Sequence, residues 1–367
     1  MNVLAIWINC ITFAANKVLD EMKRKQSQWL FLLMIGFLGA CTSSLDEKEA
    51  ETDIDYALLQ NAFYMSVDDS LQPVWLQEMI KSAPYLKIYH SDKDGGLYFV
   101  EHPDRAQTTG ELYHVDGRPQ TFTTPEGLDA AISAAAPWTC THIYSYPIVA
   151  GTDEWKALSV LERNERLQLP DNLLGTIRTE DLIEVCLDYP YALDYCACND
   201  FQSGFMGVYN QFNGLRELLS RSDLTEPFLL RLDINWQKAS LMSGMIDTDP
   251  IRVGGYSLLS CLLFKIMLAQ DAVLNQMSKN QLRRMLDLCM RNTSIEVSYS
   301  EIWSGVAHEG TMFIYAKVIH NNGGFSFKDE EEKNLFNEYV QCPSQIILRM
   351  LLTDDFIARV MEYVEKF

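Results

Sequence analysis

Apolar positions along the 367-residue chain fall into three successive patterns. An unbroken run comes first, over residues 29–40. Short alternating stretches follow to about residue 148. Beyond residue 151, apolar residues recur three and four apart to the end of the chain. Alternation predicts strands and the three-four spacing predicts helices.

The middle stretch predicts a helix over 73–80, with Trp75, Leu76, Met79 and Ile80 on one face. Residues 85–89, 97–101, 111–115 and 141–146 read as strands. Asp92-Lys93-Asp94-Gly95-Gly96 is a turn, Asp94-Gly95 supplying the positive-φ chemistry. Thr124-Pro125-Glu126-Gly127 opens a second short helix toward Ala136. The expectation for 60–148 is a small antiparallel sheet of about four strands with helices.

Helix-length segments then follow one another. Asp153 opens one that carries Ala157, Leu158, Val160 and Leu161. Thr179 is a candidate cap before the run 182–187, with Glu180 and Asp181 where the helix dipole favours acids. Residues 205–209, 212–219, 226–234 and 257–274 continue the pattern. Ser278 to Gln281 reads as a capping box for 282–290. Residues 299–320, 330–340, 344–352 and 354–367 complete the series. No fixed repeat period appears, so 149–367 is expected to be an irregular α-α array. The fold class expected is α+β: a small sheet-plus-helix module followed by a mostly α-helical domain.

The apolar run at 29–40 has twelve residues, and a spanning helix needs roughly twenty. Lys23, Arg24 and Lys25 precede it and the small residues Gly39 and Ala40 end it, which is the order of a secretory signal. Leu38-Gly39-Ala40-Cys41 resembles the lipobox of bacterial lipoproteins. That resemblance implies cleavage before Cys41 and a lipid, palmitate included, on its sulfur. Thr42, in place of Asp, implies the outer rather than the inner membrane by similarity to Gram-negative lipoproteins. Acidic residues from Asp46 to Asp55 make 41–59 a polar, self-repelling tether. In some gut-type Gram-negative lipoproteins such acids direct export to the surface, so the periplasmic side and the cell surface both stay open. Residues 1–21 hold a second apolar run with no basic residue before it. We read Met22 as the true start, with 1–40 the signal region as written.

A further resemblance lies at 151–218. Glu154-Trp155, Leu169-Pro170, Thr179-Glu180-Asp181-Leu182, Cys186-Leu187, Tyr189-Pro190 and Phe212-Asn213-Gly214-Leu215 are similar to a segment of uncharacterised secreted proteins of gut-type Gram-negative bacteria. It implies export and a helical fold, and carries no activity.

Composition narrows the function. Removing residues 1–40 takes four of 30 basic residues and two of 50 acidic ones, leaving a net charge of −22. Such a surface repels phosphate backbones, so no nucleic-acid partner is expected. Hydrophobic residues make up 48% of the chain, ample for packed cores. The nine cysteines show no disulfide framework spacing. Cys196-Ala197-Cys198 alone is a weak metal signal. His90, His102, His114 and His142 fall near the strands, without zinc-ligand spacing. His308-Glu309 lacks the second histidine of HExxH, and Gly254-Gly255-Tyr256-Ser257 lacks the GxSxG frame. No nucleotide-binding loop occurs, so no cofactor or metal is expected. Trp155, Tyr189, Tyr191, Tyr195, Phe201, Phe205, Tyr209 and Phe212 crowd one region. Their spacing favours core, and exposed members would suit a partner surface.

The function expected is a membrane-anchored envelope lipoprotein, lipidated on Cys41, that binds an unknown protein or glycan partner. The alternative is an envelope hydrolase using carboxylates of the helical domain.

Overall fold

The computed structural model describes residues 72–105, 109–136, 138–192, 194, 198–233, 261–298 and 300–367. The expected signal region, Cys41, the acidic tether, Tyr195, Cys196 and the glycines of 254–255 lie outside them. Among the described residues the fold is α+β, a five-stranded antiparallel sheet with helices.

Helix α1 (Val74–Ser82) starts directly after Pro73, whose fixed φ suits a helix entry. Strands β1 (Lys87–Ser91), β2 (Leu97–His102), β3 (Thr109–His114) and β4 (Pro119–Gln120) form a meander. Helix α2 (Pro125–Ala134) then carries the chain to β5 (Thr139–His142), which pairs with β1. The strand order is therefore β4-β3-β2-β1-β5. Gly95 and Gly96 take positive φ at the β1–β2 turn, as its sequence requires. The strand expected at 85–89 is paired two residues later, at Lys87–Ser91, because its register follows β2. The strand expected at 141–146 pairs at Thr139–His142, on the other edge of β1. The two-residue β4 is the fifth strand.

Alternation divides the sheet into two buried faces. Ile88, Tyr98 and Val100 face one way and pack with Leu76, Trp75, Met79 and Ile80 of α1. Trp75 stacks on Tyr113 with ring centres 5.1 Å apart, and its indole N–H donates to the Val115 carbonyl at 2.9 Å. Tyr89, Leu97, Leu112 and Cys140 face the other way, into the core they share with the helices that follow.

Those helices are α3 (Asp153–Ala157), α4 (Val160–Arg166), α5 (Asp171–Thr176), α6 (Thr179–Leu187), α7 (Phe201–Gln211) and α8 (Asn213–Ser220). Helical residues 225–233 (α9) and 261–268 (α10) flank residues outside the description. Then come α11 (Asp271–Leu274), α12 (Lys279–Ser298), α13 (Ser300–Asn322), α14 (Glu330–Gln341), α15 (Gln345–Leu351) and α16 (Asp354–Lys366). Among the described residues no helix is long and apolar enough to cross a membrane.

Local chemistry corrects three of the expected helices. The segment opened by Asp153 breaks at Leu158, because Ser159 and Glu162 form a reciprocal capping box. Thr179 is inside α6 rather than its cap: its hydroxyl donates to Asp223 at 2.9 Å and accepts from Arg221 at 3.1 Å. The expected 257–274 helix ends near Ala269, and Gln270 precedes the separate short turn α11. Its side-chain amide donates to the Ile266 carbonyl at 2.8 Å. The box at Ser278 and Gln281 forms as read, and its helix continues to Ser298.

Helix α6 is the pivot, with every residue from Asp181 to Leu187 buried. It meets the sheet through a buried ionic network. Lys87 Nζ lies 2.9 Å from Asp181, the two side chains being 2% and 1% exposed. Arg178 donates to the other Asp181 oxygen at 2.8 Å and to Glu101 at 2.9 Å. Lys87 and Glu101 are cross-strand partners, so Asp181 and Arg178 together tie both strands to α6. Burial alone would lower the Lys87 pKa; the Asp181 charge, aided by Tyr89 and Cys140, carries it above its ordinary value. Burial pushes the Glu101 carboxyl up against the pull of Lys87 and Arg178.

Removing one member leaves its partner charged and buried. Lys87→Ala is expected to cost about 3–5 kcal/mol, read as a fall in the urea midpoint. A variant as stable as the parent would show that the network does not hold the sheet to α6.

Candidate functional site

The aromatic region of the sequence becomes a ladder of rings from the surface into the core. Trp155 on α3 and Tyr191, just past α6, are half-buried with centres 5.1 Å apart. Tyr191 meets Tyr189 at 6.0 Å, and Tyr189 stacks on Phe212 at 4.0 Å. Tyr146 touches Tyr189 at 5.9 Å, and its hydroxyl donates to the Val185 carbonyl of α6 at 2.7 Å. Phe201, Phe205 and Phe212 are core, and Tyr209 is half-buried.

Helix α4 builds the outer end of the ladder. The Arg163 guanidinium lies over the Trp155 ring at 4.9 Å, and its Nε donates to the Trp155 carbonyl at 2.7 Å. The α3–α4 break turns Val160 and Leu161 outward, 62% and 68% exposed. The sequence pattern ran these two into the helix opened by Asp153; the capping box starts α4 anew, and both stand exposed. Trp155, Tyr191 and Arg163 thus bring planar and cationic groups together, and Val160 and Leu161 stand exposed on the helix that carries Arg163. Tryptophan, tyrosine and arginine are the residue types enriched among the anchors of protein interfaces.

The ladder and its surroundings also carry unsatisfied polarity. The hydroxyls of Tyr189 and Tyr191 and the Asn164 side-chain carbonyl are buried without hydrogen-bond partners among the described residues. Burial first, and Tyr191 second, raise the Tyr189 pKa.

Several residues singled out for resemblance are contacts of this same region. Asn213 donates its amide to the Leu169 carbonyl and accepts from the Leu169 N–H, both at 2.8 Å. Gln168 accepts from the Asn213 N–H at 3.0 Å. A Cβ on Gly214 would fall 2.4 Å from the Phe212 ring and 2.8 Å from Leu169. These residues lock α8 against the loop before α5 and keep Phe212 under Tyr189.

Other candidates are dispersed. His142 is buried with its ring nitrogen 3.2 Å from the Pro84 carbonyl, while His90 stacks on Tyr98 at 4.6 Å and His102 is exposed. Among the described residues no three metal-ligating side chains gather. Of the helical carboxylates, Glu184 is buried and bound by the Arg231 guanidinium, a pairing that sequence spacing did not reveal. Asp188 follows at the end of α6. Its side chain reaches solvent, which screens the push that surrounding bulk, then Glu184, exert toward about 8. A small cavity of about 10 Å³ between α13, α14 and α16 is lined by Tyr315, Phe336, Tyr339 and Phe356. It has room for at most about one water.

No protein-family model, curated protein or solved structure matches this chain.

Without a partner, the Tyr189 hydroxyl contributes little to the fold and is costly to bury. Tyr189→Phe is therefore expected to leave stability unchanged or raise it by up to about 1 kcal/mol in thermal unfolding. A loss of stability would mean that a bound molecule satisfies the hydroxyl.

Proposed function

We propose that this protein is a lipid-anchored binding module of the bacterial cell envelope. It is held by acyl chains on Cys41 and engages a protein or glycan partner through the Trp155–Leu161 corner. The observation that carries the reading is the ordered series Lys23-Arg24-Lys25, apolar run, Leu38-Gly39-Ala40-Cys41. Thr42 favours the outer membrane, and the acidic tether that follows gives the folded part reach from it.

The corner supports the binding half of the reading. Exposed aliphatic side chains beside a tryptophan and an arginine gain by burial against a second surface. The mature charge of −22 favours partners that are neutral or cationic over nucleic acid.

Growth with labelled palmitate tests the anchor. The parent chain is expected to take up label and partition into detergent, and Cys41→Ala to do neither. Label retained by the variant would refute lipidation at Cys41.

The corner is tested separately. Tagged full-length chain is recovered from intact cells, with and without Val160→Glu and Leu161→Glu together. The double variant is expected to fold normally and to lose captured partner about tenfold or more. Equal capture by both chains would place the binding surface elsewhere.

A further inference from the structure

Two free thiols far apart in sequence lie on stretches that the fold joins by a backbone hydrogen bond. Asp200 is 7% exposed and caps α7, accepting from the Ser203 N–H at 2.8 Å. Cys342, at the C-terminal end of α14, lies where the charge of the same carboxylate acts on its sulfur. Cys198 lies two residues before Asp200 and is exposed, and the Asp200 charge acts on its sulfur as well. A backbone hydrogen bond from the Phe201 N–H to the Pro343 carbonyl, 3.4 Å, joins the two stretches next to the thiols. Both cysteines are free, and both reach solvent at least in part. Cys140 and Cys186, by contrast, are sealed in the core at 1% exposure.

We propose that Cys198 and Cys342 are a disulfide-forming pair, closed by exchange with a disulfide-bearing oxidant and tying the start of α7 to the end of α14. The chemistry runs through a mixed disulfide. The exposed Cys198 thiolate attacks one sulfur of the oxidant, whose S–S bond breaks and releases a first thiolate. The Cys342 thiol gives its proton to water and attacks the Cys198 sulfur, releasing the oxidant's second thiolate. Two protein thiols lose two electrons and two protons, and the oxidant gains two thiols. Closure requires Cα atoms within about 7 Å, which the short loop bearing Cys198 must reach. The link would close a long loop, where restriction of the unfolded chain is greatest.

Burial, then the charges of Asp200 and Asp194, hold the Cys198 thiol above its ordinary pKa. Its thiolate is scarce at neutral pH, so exchange is expected to quicken as pH rises through the alkaline range. The export reading matters here only for where an oxidant is met in the cell.

The test uses full-length chain purified in detergent under reducing conditions, then exposed to oxidised glutathione. Peptide mapping is expected to find the peptide containing Cys198 joined to that containing Cys342. The link should persist in Cys196→Ser, vanish in Cys198→Ser and in Cys342→Ser, and be released by dithiothreitol. Full alkylation of both thiols after oxidation, or a cross-link that survives in Cys198→Ser, would overturn the pairing. Palmitate labelling at Cys41 is independent of either result, so failure here leaves the anchor reading standing.

Discussion

The contact between Lys87 and Asp181 constrains the rest of the fold. A buried ammonium and a buried carboxylate each lose several kcal/mol of hydration, which is regained only with close, directional partners. Arg178 supplies one to Asp181 at 2.8 Å and is itself held by Glu101 at 2.9 Å. Apolar packing tolerates small slides between surfaces, whereas this network accepts one register of the sheet on α6. Since α6 is buried almost throughout, what fixes the sheet to it also positions the loop that leads to Tyr189 and Tyr191. Tyr146 adds a second tie, from the strand side to the Val185 carbonyl.

The network extends along one edge of the helices. Thr179, next to Arg178, accepts from Arg221, whose third contact is the Leu174 carbonyl at 3.1 Å. Arg221 also donates to Glu217, which meets Arg105 from the β2–β3 connection at 3.6 Å. Sheet, α5, α6 and α8 are therefore linked by charged hydrogen bonds as well as by shared apolar core. Sheet and helical array consequently pack as neighbours through a common core, even though their sequence patterns differ sharply.

Period-two alternation made β1, β2 and β3 legible, because they pack apolar and aromatic side chains toward α1, itself legible from its helical face. Alternation says that a second face exists and nothing of what covers it, so Lys87 reads as a solvated lysine. Its partner Asp181 reads as an ordinary first-turn acid. Their pairing is a long-range fact without local spacing. The α3–α4 break was written locally, in Ser159 and Glu162, yet the apolar residues around it also fit one continuous helix. Where both readings fit, the capping box decides, since it satisfies helix-end donors that a continuous helix would not expose. The aromatic crowd was visible as composition, but exposure was not: spacing cannot separate Phe212, sealed under Tyr189, from Trp155 at the rim.

That rim and interior belong to one structure. Arg163 is held by the Trp155 carbonyl and ring, Trp155 leans on Tyr191, and Tyr191 on Tyr189, which Phe212 and the Asn213 clasp hold from behind. A surface backed in this way loses little side-chain freedom when a partner covers it, so less of the contact energy is spent on ordering. Val160 and Leu161 gain the same advantage from the capped first turn of α4. Val160 and Leu161, which the helical pattern would otherwise have buried, stand exposed at the start of α4. Glu184, a buried acid of α6, is bound by the Arg231 guanidinium, so it belongs to the ionic ties that hold the helices together.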